Sequence, residues 1–204
     1  MRKDIIRSRG YNLDTAGSEL SLKIASYPIT AKYLATRLVG KGKTVCELCC
    51  GVGITLIELS NQFEYVIGVD NDANILHDCK SNLANASVNN YALIHADVTS
   101  SHVIKKIKAD IVLYDIPYWS SHGGRIDIER ENPDLISLID TIRNNITTNI
   151  VIYAPPSLSY EEATAALGTC DFVQVMINDK HDRNFIFLGD LMSQAGKTIV
   201  ELKI

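Results

Sequence analysis

Residues 44–53 read TVCELCCGVG, and this stretch decides the fold. The apolar run from Val45 to Leu48 favours a β-strand, two glycines follow at Gly51 and Gly53, and the next ten residues, ITLIELSNQF, have the composition of a helix. Glycine lets a ligand approach the backbone closely and lets the chain turn sharply. A strand, glycine turn and helix in this order therefore indicate a nucleotide site, although a glycine pair alone also occurs in ordinary turns.

The composition is that of one globular domain, with 204 residues, 46% hydrophobic and 22% charged. A net charge of −4 argues against a broad basic groove for long nucleic acid but allows a local basic patch. The five cysteines are odd in number and three crowd one strand end, which favours a reducing compartment and core positions over disulfides or zinc. No apolar run is long enough to span a membrane. We therefore expect a cytoplasmic protein with no membrane anchor and no metal.

The first 26 residues are polar and carry a cluster of basic side chains, Arg2, Lys3, Arg7 and Arg9. This pattern predicts a basic N-terminal arm over residues 1–26, either solvated or in contact with RNA, and a folded domain over residues 27–204. The first predicted helix of that domain runs from Ala31 to Val39, with Thr30 as its N-cap.

Strand-like and helix-like segments then alternate. Further apolar runs end at Asp70, Asp97 and Asp115, so that with Glu47 four acids would lie on one rim of a parallel sheet. A fifth strand, TNIVIYAPP, and a helix, SYEEATAAL, lead to two adjacent strands, DFVQVMIN and NFIFLGDL, and the tail KTIVELKI has the pattern of one more. We expect an α/β fold, a Rossmann-like doubly wound sheet of about seven strands, mostly parallel with a C-terminal antiparallel hairpin.

The acids suggest which nucleotide binds. A dinucleotide fingerprint needs a small residue where this chain has Leu56, which makes NAD the weaker interpretation. Glu47 is suited to an amine such as that of S-adenosylmethionine, Asp70 to ribose hydroxyls, and Asp97 with the Val98 N–H to adenine. The cofactor-binding candidates are Glu47, Cys49, Gly51, Gly53, Asp70, Asn71, Asp97 and Val98.

The sequence DIPYW, Asp115 to Trp119, is suited to methylation of an exocyclic amine. Such a nitrogen becomes a better nucleophile when a carboxylate and a backbone carbonyl accept its protons, and an aromatic side chain can stack on the base. The alternative is a strand that ends at a proline beside core aromatic residues. The catalytic candidates are Asp115, Pro117, Tyr118 and Trp119.

The motifs CELCCGVG, VIGVDND, HADV and DIPYW resemble the glycine, ribose, adenine and catalytic motifs of class I S-adenosylmethionine-dependent methyltransferases. More narrowly, YPIT, ELCCGVG, NNITTNIVIYAPP and FLGDL resemble the trimethylguanosine synthase family of RNA-cap guanine-N2 methyltransferases. That family has Ser-Pro-Pro-Trp where this chain has DIPYW. Asp115 and Tyr118 are instead similar to the Asp-Pro-Pro-Tyr of methyltransferases that act on adenine or cytosine.

The resemblance implies S-adenosylmethionine as cofactor and methyl transfer to an exocyclic amine of a nucleobase, with guanine N2 in RNA as the first candidate. Arg125 and the basic arm would contact RNA phosphates. Three alternatives stay open: adenine N6, a protein or small-molecule nitrogen including a free nucleotide, and a methyltransferase-like subunit that binds a partner without catalysis.

Overall fold

The computed structural model describes residues 2–12, 14–115 and 133–204. The chain divides into two compact units, one of residues 1–98 with residue 204 and the other of residues 99–203. Pro117, Tyr118, Trp119 and Arg125 lie outside the described residues, so the predictions made for them stay predictions.

Three helices begin the first unit, α1 (Arg2–Ser8), α2 (Glu19–Ile24) and α3 (Pro28–Arg37). Ile6, Tyr11 and Leu22 are buried and pack in one cluster with Val52 of the glycine turn. The stretch that we expected to be a basic arm is therefore helical in part and packed against the fold, while the boundary at residue 26 stays a prediction.

The prediction of Thr30 as a helix N-cap is wrong. Helix α3 begins three residues earlier than predicted, at Pro28, after Tyr27 in an extended conformation. Proline suits the first position of a helix because its nitrogen has no hydrogen that would need an acceptor there. Thr30 consequently lies inside the helix, where it is fully buried.

A parallel three-stranded arrangement carries the glycine turn. Strand β1 (Thr44–Leu48) pairs with β2 (Tyr65–Asp70), and β2 pairs with β3 (Tyr91–His95). Helix α4 (Ile54–Ser60) follows β1 and helix α5 (Ala73–Asn85) follows β2. Because the strands are parallel, their carboxyl ends meet at one edge, and Asp70 lies opposite His95 there.

The second unit contains α6 (Ser101–Ile104), β4 (Ile111–Asp115), α7 (Pro133–Asn145), β5 (Ile150–Ala154), α8 (Tyr160–Leu167), β6 (Asp171–Ile177), β7 (Lys180–Phe187) and β8 (Gly196–Leu202). Strand β4 is parallel to β5, whereas β7 is antiparallel to both β5 and β6. The predicted C-terminal hairpin is thus confirmed.

The tail forms strand β8, parallel to β6, so the described residues contain eight strands where we expected about seven. The α/β fold with parallel strands and an antiparallel C-terminal pair is confirmed. In the part of the chain that the structure describes, no helix is both long and apolar enough to cross a membrane.

Candidate functional site

The turn after β1 leaves its backbone open at one glycine and closed at another. Gly51 has a φ of 54°, and no atom lies within 4 Å of the position that a Cβ would take there. Gly53 has a φ of 81°, but a Cβ there would lie 2.5 Å from the Cys79 sulfur on α5. Gly53 therefore allows the turn to pack on the helix, while Gly51 leaves room for a ligand beside the backbone.

Cys49 shares this unusual geometry, with a φ of 62° that residues with a side chain rarely adopt. Left-handed backbone at a residue other than glycine is concentrated at functional sites, where neighbouring contacts hold it in place. Cys49 is half-buried and precedes Gly51 by two residues, and its role toward a cofactor stays a prediction.

Asp70 ties the end of β2 to this turn. One carboxylate oxygen accepts a hydrogen bond from the Gly51 N–H at 2.9 Å, and the other accepts one from the Asp72 N–H at 3.1 Å. Asp70 is 8% exposed. An ionised carboxylate has about four acceptor positions. Two therefore remain for donors from a ligand, such as a pair of hydroxyl groups.

Asp72, two residues after Asp70, has a structural role at the start of α5. Its carboxylate accepts hydrogen bonds from the N–H groups of Asn74 and Ile75, so it is the N-cap of α5. The cap starts α5 directly after the rim and thereby fixes the direction in which the chain leaves Asp70.

The other cofactor candidates of this unit lie at or just beyond the strand ends. Glu47 is 2% exposed on β1, and Val98 is buried. Asp97 is exposed, two residues after β3, and Asn71 is exposed directly after β2. The structure thus brings Asp70 and Gly51 into direct contact, while Glu47 lies within β1 and the others lie beyond the ends of β2 and β3.

His95 is a rim residue that the sequence analysis missed. Its Nε2 lies 3.0 Å from the backbone carbonyl of Asn71, and because a carbonyl only accepts, this nitrogen carries the proton. The bond joins the ends of β2 and β3. A histidine at the end of a predicted strand was visible in the sequence, but its partner is a backbone atom and leaves no signal there.

The five cysteines are all free thiols. A hydrogen bond with Cys79, followed by burial, raises the pKa of Cys50, and burial raises that of Cys46. The thiols of Cys46 and Cys50 consequently stay protonated and act as small core residues. Among the residues that the structure describes, no group of three or more His, Cys, Asp or Glu side chains is placed to hold a metal ion.

The second unit carries Asp115, the last residue of β4, opposite Tyr153 of β5. Burial raises the pKa of Asp115 from 3.8 to about 6, although the nearby cation of Arg183 acts to lower it. The carboxyl group is therefore ionised at neutral pH and begins to take up a proton in mildly acidic solution.

Arg183 is a second residue that the sequence analysis missed. It is 5% exposed on β7, its Nε donates to Asp182 at 2.8 Å, and its guanidinium lies 5.0 Å from the centre of the Tyr153 ring. Burial disfavours its charge, but Asp182 and Asp115 together raise the pKa of the guanidinium above its ordinary value. A permanent cation thus lies near Asp115. In the sequence it belongs to the charged segment DKHDR, between the two runs predicted as adjacent strands, whereas in the structure β7 begins at Lys180 and includes it.

Asn184, beside it, fixes the loop after β5. Its amide nitrogen donates to the carbonyls of Pro155 and Leu158 at 2.8 and 3.1 Å, and the side chain is fully buried. Its amide oxygen lies 2.8 Å from the Nε2 of His181. Through these bonds a side chain of β7 fixes the conformation of the backbone that follows β5.

Comparisons with known proteins agree with this description. A model of the family described as a methyltransferase domain matches residues 45–122, less than half of the chain. A comparison with curated protein sequences found no match. Solved methyltransferase structures, by contrast, are similar over most of the chain.

A provisionally assigned methyltransferase from Porphyromonas gingivalis W83 has a TM-score of 0.72 at 18% identity, over 86% of this chain and 43% of that one. Magnesium protoporphyrin IX methyltransferase from Synechocystis PCC 6803, with bound S-adenosylmethionine, has a TM-score of 0.61 at 14% identity, over 91% of this chain and 89% of that one. The glycopeptide N-methyltransferase MtfA, complexed with S-adenosylmethionine, has a TM-score of 0.58 at 13% identity, over 80% of this chain and 94% of that one. This chain spans less than half the length of the first.

The fold is therefore that of the class I S-adenosylmethionine-dependent methyltransferases. At these identities the structural likeness shows the fold alone. The family match and the glycine turn support S-adenosylmethionine as cofactor and methyl transfer as the reaction, whereas nothing in the comparisons supports the trimethylguanosine synthase family specifically.

Proposed function

We propose that this protein is an S-adenosylmethionine-dependent methyltransferase that acts on an exocyclic amine of a nucleobase, with guanine N2 in RNA as the first substrate to test. The observation that carries the amine assignment is Asp115, a carboxylate at a strand end with Arg183 close to it. The remaining support is the sequence DIPYW that begins at this residue.

The residues of the first unit fit the cofactor. S-adenosylmethionine supplies, when bound, an electrophilic methyl group. Gly51 leaves space that a Cβ would fill, and Asp70 keeps acceptor positions for two ribose hydroxyls after bonding the turn. We assign Glu47 to the amine of the methionine part, and Asp97 and Val98 to the adenine ring. Asn71 and Cys49 would contact the cofactor through their backbone atoms or lie at the edge of its site.

Asp115 would act on the methyl acceptor. Its carboxylate can accept a hydrogen bond from an N–H of the amine, which localises the nitrogen lone pair and orients it. With a pKa of about 6 the group is charged at neutral pH, and a carboxylate is a stronger acceptor than a neutral group. The nearby Arg183 offsets part of the cost of this partly buried charge. A carbonyl beside Pro117 and the rings of Tyr118 or Trp119 are assigned to the base by the sequence alone.

For the choice of substrate, the solved relatives give no single direction. By name they act on a porphyrin, a glycopeptide and, for a protein from Streptococcus thermophilus at 12% identity, ribosomal RNA. The N-terminal cations are a narrower basis for RNA binding than the sequence indicated. Arg2 is exposed but donates to the Thr15 carbonyl, and Arg9 lies 3.8 Å from the centre of the Tyr27 ring. We therefore assign Lys3 and Arg7, which are also exposed, to phosphate.

The test is to incubate the protein and methyl-labelled S-adenosylmethionine separately with total RNA, DNA, free nucleotides and a protein extract, and to identify the modified product by mass spectrometry. We expect a label on an exocyclic nitrogen of an RNA base. Label on protein or DNA alone would reject the RNA substrate, and label on carbon or a ring nitrogen would reject the amine chemistry. Cofactor binding with no transfer to any pool would favour the non-catalytic subunit.

The Asp115→Asn variant is the matched catalytic control. It keeps the size of the side chain but replaces a charged acceptor by a neutral amide. If Asp115 acts as proposed, the variant loses turnover at least a hundredfold while its affinity for S-adenosylmethionine stays within a factor of three. An equal turnover in both proteins would remove Asp115 from the mechanism.

A further inference from the structure

Asn82 is a buried amide on α5 that the sequence analysis did not single out. The residue is 3% exposed. Its Oδ1 accepts a hydrogen bond from the Ala16 N–H at 2.6 Å, and its Nδ2 donates to the Ala16 carbonyl at 3.0 Å and to the Val52 carbonyl at 2.9 Å. Every polar atom of the amide therefore has a partner, and all partners are backbone atoms.

These partners fix which way the amide faces. The Ala16 N–H needs an acceptor and the two carbonyls need donors, so only one orientation of the side chain satisfies all three. With Ala16 the amide both accepts and donates, as one peptide group does with another in a β-sheet. The third reaches the residue between Gly51 and Gly53, in the turn that leaves room for the cofactor.

Packing joins the same two segments. Val52 and Ile54 of the turn share a buried cluster with Ile6, Tyr11 and Leu22 of the N-terminal segment. The Ser26 hydroxyl also lies 3.4 Å from that of Thr55, in the first turn of α4. The glycine turn is thus joined to the N-terminal helices in two ways, by this packing and by the Asn82 side chain.

An apolar side chain of similar size would fill the same volume, but it would leave the Ala16 N–H and the carbonyls of Ala16 and Val52 without this partner. What the amide adds is a fixed direction for the Val52 carbonyl and a fixed position for Ala16. The first constraint acts on the residue that directly follows Gly51.

We propose that Asn82 is a positioning residue for the cofactor turn, and that through it binding of S-adenosylmethionine is coupled to the order of residues 14–17. This inference rests on the proposed cofactor site. A ligand that fixes the turn strengthens the bond to Val52, and the same amide then holds Ala16 more firmly. The coupling is reciprocal, so loosening the N-terminal segment weakens cofactor binding.

The variants are Asn82→Ala, which removes all three bonds, and Asn82→Asp, which keeps an acceptor for the Ala16 N–H but places a carboxylate against two carbonyls. The matched control is Asn85→Ala, on the same helix. The Asn85 amide lies 3.4 Å from the Asp14 carbonyl of the same N-terminal segment, is exposed, and has no described bond to the turn.

Two measurements are made on each protein, the calorimetric affinity for S-adenosylmethionine and the hydrogen exchange of the peptide containing Ala16, with and without the cofactor. In the wild type we expect the cofactor to slow exchange at Ala16 severalfold. In both Asn82 variants this cofactor-dependent slowing disappears and affinity falls at least tenfold, whereas Asn85→Ala keeps the slowing and stays within twofold in affinity.

A merely structural role would lower the melting temperature without removing the effect of the cofactor on Ala16. Asn82→Asp that binds and protects like the wild type would overturn the inference, as would a wild-type protein that binds the cofactor with no change at Ala16. The second result needs no variant, so it decides even if Asn82→Ala fails to fold. A wild-type protein that does not bind S-adenosylmethionine at all would instead refute the proposed function, and the inference with it.

Discussion

Replacing Asp115 by asparagine should make the protein more stable at neutral pH. The folded protein raises the pKa of this carboxyl from 3.8 to about 6, so between these values the native state binds more protons than the unfolded state. Stability contributed by the group is then present below pH 3.8 and is lost as the pH rises through 6. A neutral amide has no such loss.

The difference of about two pKa units corresponds to about 3 kcal/mol, an upper value because Asp115 is only partly buried and water can relieve some of the cost. We therefore expect the free energy of unfolding of the variant, relative to that of the wild type, to increase by about 1 to 3 kcal/mol between pH 4 and pH 8.

The assay is urea unfolding of both proteins at several pH values, with the difference at pH 4 as the internal reference. At that pH the wild-type group is largely protonated and resembles the amide, so any constant difference in packing is measured there and subtracted. A difference that does not change with pH, or one that favours the wild type more as pH rises, would refute the reasoning. If Asp115→Asn loses turnover and gains stability, the charge of Asp115 serves the reaction at a cost in the free energy of unfolding.

Four other predictions use separate assays. In Arg183→Gln the fall of turnover on acidification should occur at higher pH, because the cation no longer favours ionisation of Asp115, and in Arg183→Lys the change should be smaller. An unchanged pH profile would show that Arg183 does not act on Asp115. Asp70→Ala should weaken S-adenosylmethionine binding more than tenfold in calorimetry, since ribose hydroxyls and the turn both lose their acceptor. Gly51→Ala should lower stability by only about 1 kcal/mol, for its left-handed φ, yet prevent cofactor binding by filling the open space; tight binding would contradict the assignment. Ser159→Ala should lower the free energy of unfolding by about 1 kcal/mol through loss of the capping box and leave turnover unchanged.

The order of strands and helices was predictable because each carries its own local pattern. The run from Val45 to Leu48 favours a strand whatever surrounds it, and the glycines that follow require a turn. The prediction of one more strand in the tail rested on the same kind of signal and is confirmed. The start of α3 was less predictable, since Thr30 and Pro28 are both start signals and the proline determined where the helix begins.

Asp70 could be found in the sequence because its place after an apolar run fixes it at the rim. Arg183 could not, because a charged segment between two strands is typical of a solvated turn. Burial of this cation depends on strands β4, β5 and β7 bringing Asp115, Tyr153 and Asp182 to one place. That neighbourhood joins residues far apart in the chain, and no local pattern records it.

The glycine turn shows how far a motif can define its own geometry. Gly51 and Gly53 permit the left-handed backbone, but permission does not select one conformation, since glycine is equally free to adopt others. Selection comes from the acceptor that Asp70 offers to Gly51 and from the donor that Asn82 offers to Val52. One of these lies 19 residues after its partner and the other 30 residues after. A protein could therefore keep the whole stretch TVCELCCGVG and still lose cofactor binding through a change at Asn82, which makes that position the sharper test of how this site is built.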